Sequence, residues 1–397
     1  WTAALRRLLP GHRLEPYFAD PPDPRPGLAD LALYVRVEGA LAPAELQRLQ
    51  KEGRVEALWK APLPPPPPAD LPPTTEDFRP LQGWLDPLAG MGFTEAAHWP
   101  GADGRGLVVA DVEYGFTEHE DLDALIGVQS WGTAYRPYAW HGTSVLGMIV
   151  AGVNGYGVDG ALPAATPFLY YPTDGEENYD VAGAILAAAE ELLPGDVLLI
   201  EQQGYVNGAY CPVSADPAVY DAITYAVAAG IVVVEPGGNG SSDLDARSWQ
   251  GWFDRSVQDS GSILVGGGAG PDSGLPLRSW MLSGGSSYGQ RVDMQGWYTG
   301  IVTTANGDMG GSLADLALVG DDSAQGYTES FGGTSGASPM VASVAAAMQG
   351  LALAGHQPVW EPRELRAILV NSGTPQTGEP HIGPQPDLRR LLRTWGR

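Results

Sequence analysis

Ser335 lies in a Gly-Thr-Ser-Gly-Ala-Ser-Pro segment, residues 333–339, and a run of small apolar residues typical of a buried helix follows it. Glycine lets the backbone come close to a substrate. The start of a helix directs free N–H groups and a positive dipole end at a developing oxyanion. A Ser- and Gly-rich loop that only caps a core helix would have the same composition. The segment therefore indicates a serine nucleophile, but other residues must support it.

A nucleophilic serine needs a base, and the chain has six histidines. His141 stands out because it opens a second segment of small and apolar residues, 141–151. This pattern predicts that the ring lies at a helix N-terminus. The helix dipole disfavours an imidazolium there and keeps the ring available as a neutral base.

Two apolar strands lead into polar side chains that would complete such a site. Residues 106–111 predict a short, buried parallel strand, with Asp111 at its carboxyl end, where active sites of open α/β sheets form. Asp111 is expected to hold one ring nitrogen of His141 and to fix its tautomer. Residues 231–235 predict another strand. The Gly-rich turn after it carries Asn239, whose side-chain N–H can donate to an oxyanion.

The order Asp, His, Asn, Ser resembles that of the subtilisin-like serine peptidases, for which both this order and an oxyanion-hole asparagine are established. The resemblance runs from about residue 82 to the C-terminus. Four segments carry it: Val109-Ala110-Asp111 with His119-Glu120-Asp121-Leu122, His141-Gly142-Thr143, Gly238-Asn239, and Gly333-Thr334-Ser335 with Ala337-Ser338-Pro339. It implies a serine endopeptidase that works through an acyl-enzyme and needs no cofactor for catalysis.

One segment departs from that family's pattern. After the aspartate the family usually has a small hydroxylated residue and a glycine, whereas this chain continues Val112-Glu113-Tyr114-Gly115. Glu113 is therefore either a rival partner for His141 or a solvated loop charge. We assign the orienting role to Asp111, because it directly ends the apolar strand.

Two other classes of hydrolase do not fit this sequence. Acid-active relatives of the same fold replace the histidine by glutamate, and His141 argues against them. The nucleophile turn of α/β-hydrolases needs Gly-x-Ser-x-Gly, but the last position here is Ala337. Two alternatives stay open. One is a binding protein of the same fold whose altered loop has disabled the triad, and the other is a peptide-maturing enzyme or transpeptidase that passes the acyl group to an amine.

The resemblance also implies how peptide or protein substrates bind. An extended peptide would lie between residues 176–180 and 201–204. The residues expected to contact it are Gln203, Gly204, Pro236, Gly237 and Gly238. Main-chain hydrogen bonding of this kind is indifferent to most side chains, so broad specificity is expected. The acidic residues of these segments would favour basic side chains, or are merely solvated.

A structural calcium ion is a further implication of the resemblance. The candidate ligands are Asp121, Asn154 and, more weakly, Gln82, together with the carbonyls of residues 152, 156 and 158. Calcium prefers such oxygen ligands. An asparagine in a Gly-rich loop also commonly adopts a left-handed turn without any ion, so both interpretations stay open.

Composition excludes several classes of partner. The chain has 22 Lys and Arg against 47 Asp and Glu, a net charge of −25, which argues against nucleic acid and anionic membranes as partners. No apolar stretch is expected to reach membrane-spanning length. The single cysteine, Cys211, excludes disulfides within the chain.

Three parts are predicted along the chain. Residues 1–61 are near neutral and look like a small α+β module, similar to the propeptide of subtilisin-like peptidases or else an unrelated accessory domain. Residues 62–80 are a Pro-rich, stiff linker. Residues 81–397 alternate strand-like and helical runs. This alternation predicts a three-layer α/β fold, with a mainly parallel sheet and helices on both faces.

The N-terminal module is expected to act as an intramolecular partner that docks on the peptidase domain. Residues 64–68 are all proline and cannot complete a β-ladder in a cleft. This segment is therefore expected to run out of the cleft, or any cleavage is expected after it, at 69–80. The chain does not begin with methionine. We therefore expect that its true N-terminus and any signal peptide are missing, and that the protein is secreted or extracytoplasmic.

Overall fold

The computed structural model describes residues 2–18, 30–39, 41–52, 55, 58, 75–174, 178–206, 208–281, 285–306, 315–316 and 323–395. The chain separates into two units, Trp1–Ala69 and Asp70–Arg397. Most of the predicted linker, residues 62–74, lies outside the described residues, so its borders stay a prediction.

The first unit has two helices and a two-stranded antiparallel sheet: α1 (Thr2–Leu8), β1 (Leu14–Pro16), β2 (Val35–Val37) and α2 (Pro43–Gln50). Leu5, Leu9, Leu14 and Leu49 form its small apolar cluster. The predicted strand over residues 31–37 is shorter than expected, because residues 31–33 form a 3₁₀ turn. The predicted strand over 55–59 lies largely outside the described residues.

The second unit contains the remaining regular elements. Its strands are β3 (Val108–Val112), β4 (Gln129–Thr133), β5 (Thr166–Asp174), β6 (Val197–Ile200), β7 (Gln203–Val206), β8 (Ala209–Pro212), β9 (Val232–Pro236), β10 (Ile263–Gly268), β11 (Met294–Trp297), β12 (Ile301–Ala305) and β13 (Gly326–Phe331). Its α-helices are α3 (Phe93–Ala96), α4 (Ala139–Val150), α5 (Val181–Glu191), α6 (Pro217–Ala228), α7 (Thr334–Ala354), α8 (Pro362–Ser372) and α9 (Leu388–Trp395).

Seven of these strands form one parallel sheet in the order β11-β10-β9-β6-β3-β5-β4. Every residue of β6 and β9 is buried, as expected for central strands of a sheet that is covered on both faces. The antiparallel pairs β7–β8 and β12–β13 lie outside this sheet.

Helices cover both faces of the sheet. Because side chains alternate along a strand, Val109 and Leu199 face the apolar cluster that contains α4 and α7, while Ala110 and Leu198 face α5 and α6. This arrangement confirms the predicted three-layer α/β fold.

Helix α7 is the apolar core helix of this unit. By length and composition alone its 21 residues could span a membrane, contrary to the expectation from sequence. However, 89% of the apolar 18-residue stretch within this helix is buried inside the protein, because α7 packs under the central strands. Its apolar character is explained by this position.

Candidate active site

Glu113 and His141 form a buried pair at the carboxyl edge of the sheet. His141 is the third residue of α4, and its Nδ1 lies 2.6 Å from Oε2 of Glu113. The Glu113 side chain is 1% exposed and that of His141 15%. The second Glu113 oxygen accepts the N–H of Tyr114 at 2.6 Å. Because a carboxylate only accepts hydrogen bonds, Nδ1 carries the ring proton and Nε2 is left as the basic nitrogen.

The prediction that Asp111 orients His141 is wrong in this structure. Strand β3 continues to Val112, so Glu113 is the first residue beyond the sheet edge, and Asp111 lies one two-residue repeat deeper, roughly 6.6 Å along the strand. Asp111 is completely buried, and neither carboxyl oxygen has a hydrogen-bond partner among the described residues. One sequence signal could have identified Glu113. The family's acid is followed two positions later by glycine, and Gly115 has that spacing from Glu113.

The charges of this pair decide the basicity of the histidine. Burial lowers the pKa of His141, but the charge and the hydrogen bond of Glu113, together with a smaller effect of Glu201, raise it to about 9. The helix dipole was expected to keep this ring neutral, and here the carboxylate partner outweighs it. Burial, together with the charge of Glu113, raises the pKa of Asp111 well above its usual value.

Ser335 is the second residue of α7 and is partly exposed, in contrast to the buried residues that follow it. Gly333 precedes the helix with φ of +80°, a left-handed conformation that favours glycine. The ring of Phe331, at the end of β13, packs 5.9 Å from the His141 ring. No hydrogen bond between Ser335 and His141 is present in the described structure, and such contacts are often long without substrate.

Asn239 is fixed at the N-terminus of α7. Its Oδ1 accepts the backbone N–H of Thr334 at 2.8 Å and the Thr334 hydroxyl at 3.1 Å. The amide oxygen is therefore occupied, and its Nδ2 lies beside the backbone of Gly333. This orientation leaves the N–H donors of the amide on the same side as the start of the helix that carries Ser335.

The predicted substrate residues surround the turn that carries Asn239. The side-chain oxygen of Gln203 accepts the backbone N–H of Asn239 at 2.9 Å. Gly238 has φ of +85°, and a Cβ at this position would lie 2.7 Å from the backbone of Cys211. Gly204 lies on β7, and Pro236 and Gly237 are buried at the end of β9. The acidic residues 176 and 177 lie outside the described residues.

The predicted calcium ligands hold one another by hydrogen bonds. Asp121 accepts from the Asn154 amide at 2.6 Å, from the Val158 backbone at 2.8 Å and from the Tyr327 hydroxyl at 2.9 Å. Gln82 makes two hydrogen bonds to the backbone of Asp159. Because Asn154 directs an N–H donor at Asp121, this arrangement does not fit a cation. The described residues contain no group of three or more His, Cys, Asp or Glu able to hold a metal.

The profile of the subtilase family, Peptidase_S8, matches residues 104–383. The minor extracellular protease Epr of Bacillus subtilis is 29% identical over 169 residues, which are 42% of this chain and 24% of Epr. The chain therefore covers about a quarter of the length of that relative.

Solved structures share the fold. Fervidolysin from Fervidobacterium pennivorans, a keratinolytic enzyme related to subtilisin, superposes with a TM-score of 0.55 at 20% identity, over 78% of this chain and 45% of fervidolysin. A protease from Pseudoalteromonas arctica gives a TM-score of 0.57 at 19% identity, over 80% of this chain and 98% of that one.

Proposed function

The chain belongs to the subtilase family of serine peptidases, and we propose that it is an endopeptidase that cleaves peptide bonds through Ser335, His141 and Glu113. The observation that carries this proposal is the buried 2.6 Å contact between Glu113 and Nδ1 of His141. That contact fixes the ring tautomer and leaves Nε2 as the proton acceptor, which a serine nucleophile requires. Glu113 thus takes the role that the sequence assigned to Asp111.

The proposed reaction has two half-reactions. Ser335 Oγ attacks the scissile carbonyl while Nε2 of His141 takes its proton. The resulting imidazolium returns this proton to the leaving amine, and the acyl group stays on Ser335. Water then attacks the acyl-enzyme and loses its proton to His141, which returns that proton to Ser335 Oγ as the acyl–oxygen bond breaks and the carboxylic acid product leaves. The Glu113 carboxylate stabilises the imidazolium that forms in each half-reaction.

The oxyanion is stabilised at the start of α7. The backbone N–H of Ser335 and the side-chain amide of Asn239 are the proposed donors. Support comes from the contacts of Asn239 Oδ1 with Thr334, which occupy the amide oxygen and leave the amide nitrogen as the donor beside the start of the helix. Fixed donors of this kind act on the charge that develops in the transition state.

Peptides or proteins are the proposed substrates, bound along the residues that surround Asn239. Extracytoplasmic activity is also proposed, since the relative Epr is described as extracellular. Calcium at Asp121 and Asn154 remains a sequence-based hypothesis, and the hydrogen bonds of these residues argue against it.

Covalent labelling tests the proposed activity directly. A fluorophosphonate probe should label the parent protein, and peptide mapping should locate the adduct on Ser335. S335A should lose both labelling and casein hydrolysis. S343A is the matched control, because Ser343 lies on the same helix with a buried hydroxyl that has no partner among the described residues. It should be labelled like the parent.

The same experiment separates the alternatives. A folded parent protein that is neither labelled nor active would be a binding protein of this fold. If labelling succeeds, mass analysis of the products distinguishes hydrolysis from transfer of the acyl group to an added amine.

A further inference from the structure

A second buried carboxyl group, Glu201, lies beside the Glu113–His141 pair. Glu201 directly follows β6, is 3% exposed, and donates its backbone N–H to the carbonyl of Val112. The register pairs Val112 with Ile200, so Glu113 and Glu201 are the next neighbours across the two strands. Both side chains therefore project from the same face of the sheet, towards α4 and α7.

Few neighbouring groups can compensate a negative charge on Glu201. Among the described residues, the titratable groups that face Glu201 are Asp111 of β3, Glu113 just beyond it and His141 of α4. On the other side, continuing the register of β6 and β9 two residues beyond the Leu199–Val234 pair brings Pro236 beside it, and proline does not titrate. His141 is already paired with Glu113 at 2.6 Å. A second buried carboxylate would thus lie next to the first without a cation of its own, which is unfavourable.

The contacts of the Ser338 hydroxyl indicate whether Glu201 is protonated. Its Oγ lies 2.7 Å from Oε1 of Glu201 and 2.7 Å from the carbonyl oxygen of Thr334. A hydroxyl carries one proton, and a carbonyl can only accept. If Glu201 were a carboxylate, the Ser338 hydroxyl could serve only one of two acceptors inside a fully buried site. Both short contacts are satisfied only when Glu201 supplies a proton itself.

We propose that Glu201 is a neutral carboxylic acid that donates to Ser338 and so positions the first turn of the helix that carries Ser335. Ser338 then donates to the carbonyl of Thr334, whose own N–H and hydroxyl donate to Asn239. This chain of hydrogen bonds links the end of β6 to the nucleophile turn and to the proposed oxyanion donor. Glu201 is a positioning residue and does not touch the reacting atoms.

The electrostatic environment favours the same state. Burial raises the pKa of Glu201 well above its usual value; the charge of His141 and the contact with Ser338 oppose this, while the charges of Asp111 and Glu113 add to it. At sufficiently alkaline pH Glu201 must still ionise. The donor to Ser338 is then lost, and a second negative charge arises beside Glu113. The proposal therefore implies a loss of activity at alkaline pH that originates at Glu201.

Infrared spectroscopy tests the protonation state without any activity. In full-length S335A, which avoids autolysis, the additional change E201Q should remove a C=O stretching band of a protonated carboxyl group at neutral pH. Asp111 contributes equally to both spectra and cancels. Loss of carboxylate bands instead would overturn the proposal.

Kinetics test the positioning role, which rests on the proposed function. E201A should lower kcat/KM by roughly 10–100-fold, since small misplacements of a nucleophile are costly. E201Q should recover activity to within about threefold of the parent, because an amide also donates to Ser338 without ionising. Its activity should also persist at alkaline pH, where that of the parent falls.

Two controls make the outcome unambiguous. S338A removes the acceptor and should cost about as much as E201A, and the double variant should cost little more than either single change. If E201Q is as impaired as E201A, or shares the alkaline loss of the parent, the positioning role is refuted. If the infrared band is found but Ser335 is never labelled, the proposed peptidase activity fails while the neutral Glu201 stands.

Discussion

Glu113 Oε2 lies 2.6 Å from Nδ1 of His141, although the two residues are 28 positions apart in the chain. Asp111, only two residues before Glu113 and on the same face of the strand, reaches no partner among the described residues. The contact with the histidine thus belongs to the first carboxylate beyond the sheet edge and not to the one inside the sheet.

Exchanging each acid for its amide should show whether Glu113 or Asp111 supports His141 in catalysis. E113Q should lower kcat by about 10³–10⁴-fold, because an amide cannot stabilise the imidazolium and can favour the wrong tautomer. D111N is the matched control and should cost less than about tenfold, since Asp111 makes no hydrogen bond to lose. Steady-state kinetics on a peptide substrate measure both. A larger loss in D111N than in E113Q would return the role to Asp111.

The activity should increase with pH through an unusually alkaline range. His141 accepts a proton only when neutral, and its pKa is raised to about 9, so kcat/KM should rise up to about pH 9. In E113Q this rise should move to lower pH, because the raising charge is gone. A pH profile of residual activity measures the shift. An unchanged midpoint in E113Q would show that another group controls the rise.

The same pair should make stability depend on pH. The pKa of His141 is higher in the folded protein, about 9, than its usual value of 6.5. Its contribution to the free energy of unfolding is therefore complete below about pH 6.5 and is lost as the pH rises through 9. Denaturant unfolding of S335A and of S335A/E113Q at several pH values measures this contribution to the free energy of unfolding. If the two curves stay parallel between pH 6 and 9, the buried pair does not contribute.

Loss of Asn239, the proposed oxyanion donor, should affect the chemical step. N239A should lower kcat by about 10²–10³-fold with little change in KM, because the amide stabilises charge that appears only in the transition state. S335A and H141A should lose larger and mutually similar factors, since they act as a unit. A mainly raised KM in N239A would instead assign Asn239 to substrate binding.

A metal chelator should leave the thermal midpoint unchanged. Asp121 accepts hydrogen bonds from Asn154, Val158 and Tyr327, so the loop is held without an ion. D121A should lower the free energy of unfolding by about 2–4 kcal/mol, because several buried donors lose their acceptor. Calorimetry with and without chelator measures both effects. A fall of the midpoint that calcium restores would establish the ion.

The sequence by itself determined the fold class and the segments that contribute to the site. Apolar runs, small-residue helices and Gly-rich turns are local patterns, and the polar residues after them mark the carboxyl edge of a parallel sheet. Ser335, His141 and Asn239 could be singled out in this way. Their catalytic roles remain proposals, with labelling and kinetics as the tests.

Only the tertiary structure decided which acid contacts His141 and how that contact changes the pKa of the histidine. Asp111 and Glu113 differ by one strand repeat, and the end of β3 after Val112, which sequence patterns place poorly, leaves only Glu113 at the edge. Likewise, helix position alone predicted a neutral His141, but the carboxylate 2.6 Å away helps to raise its pKa despite its burial. The hydrogen bonds that argue against calcium could not be predicted for a similar reason. The groups that donate to Asp121 come from residues far apart in sequence, and only folding brings them together.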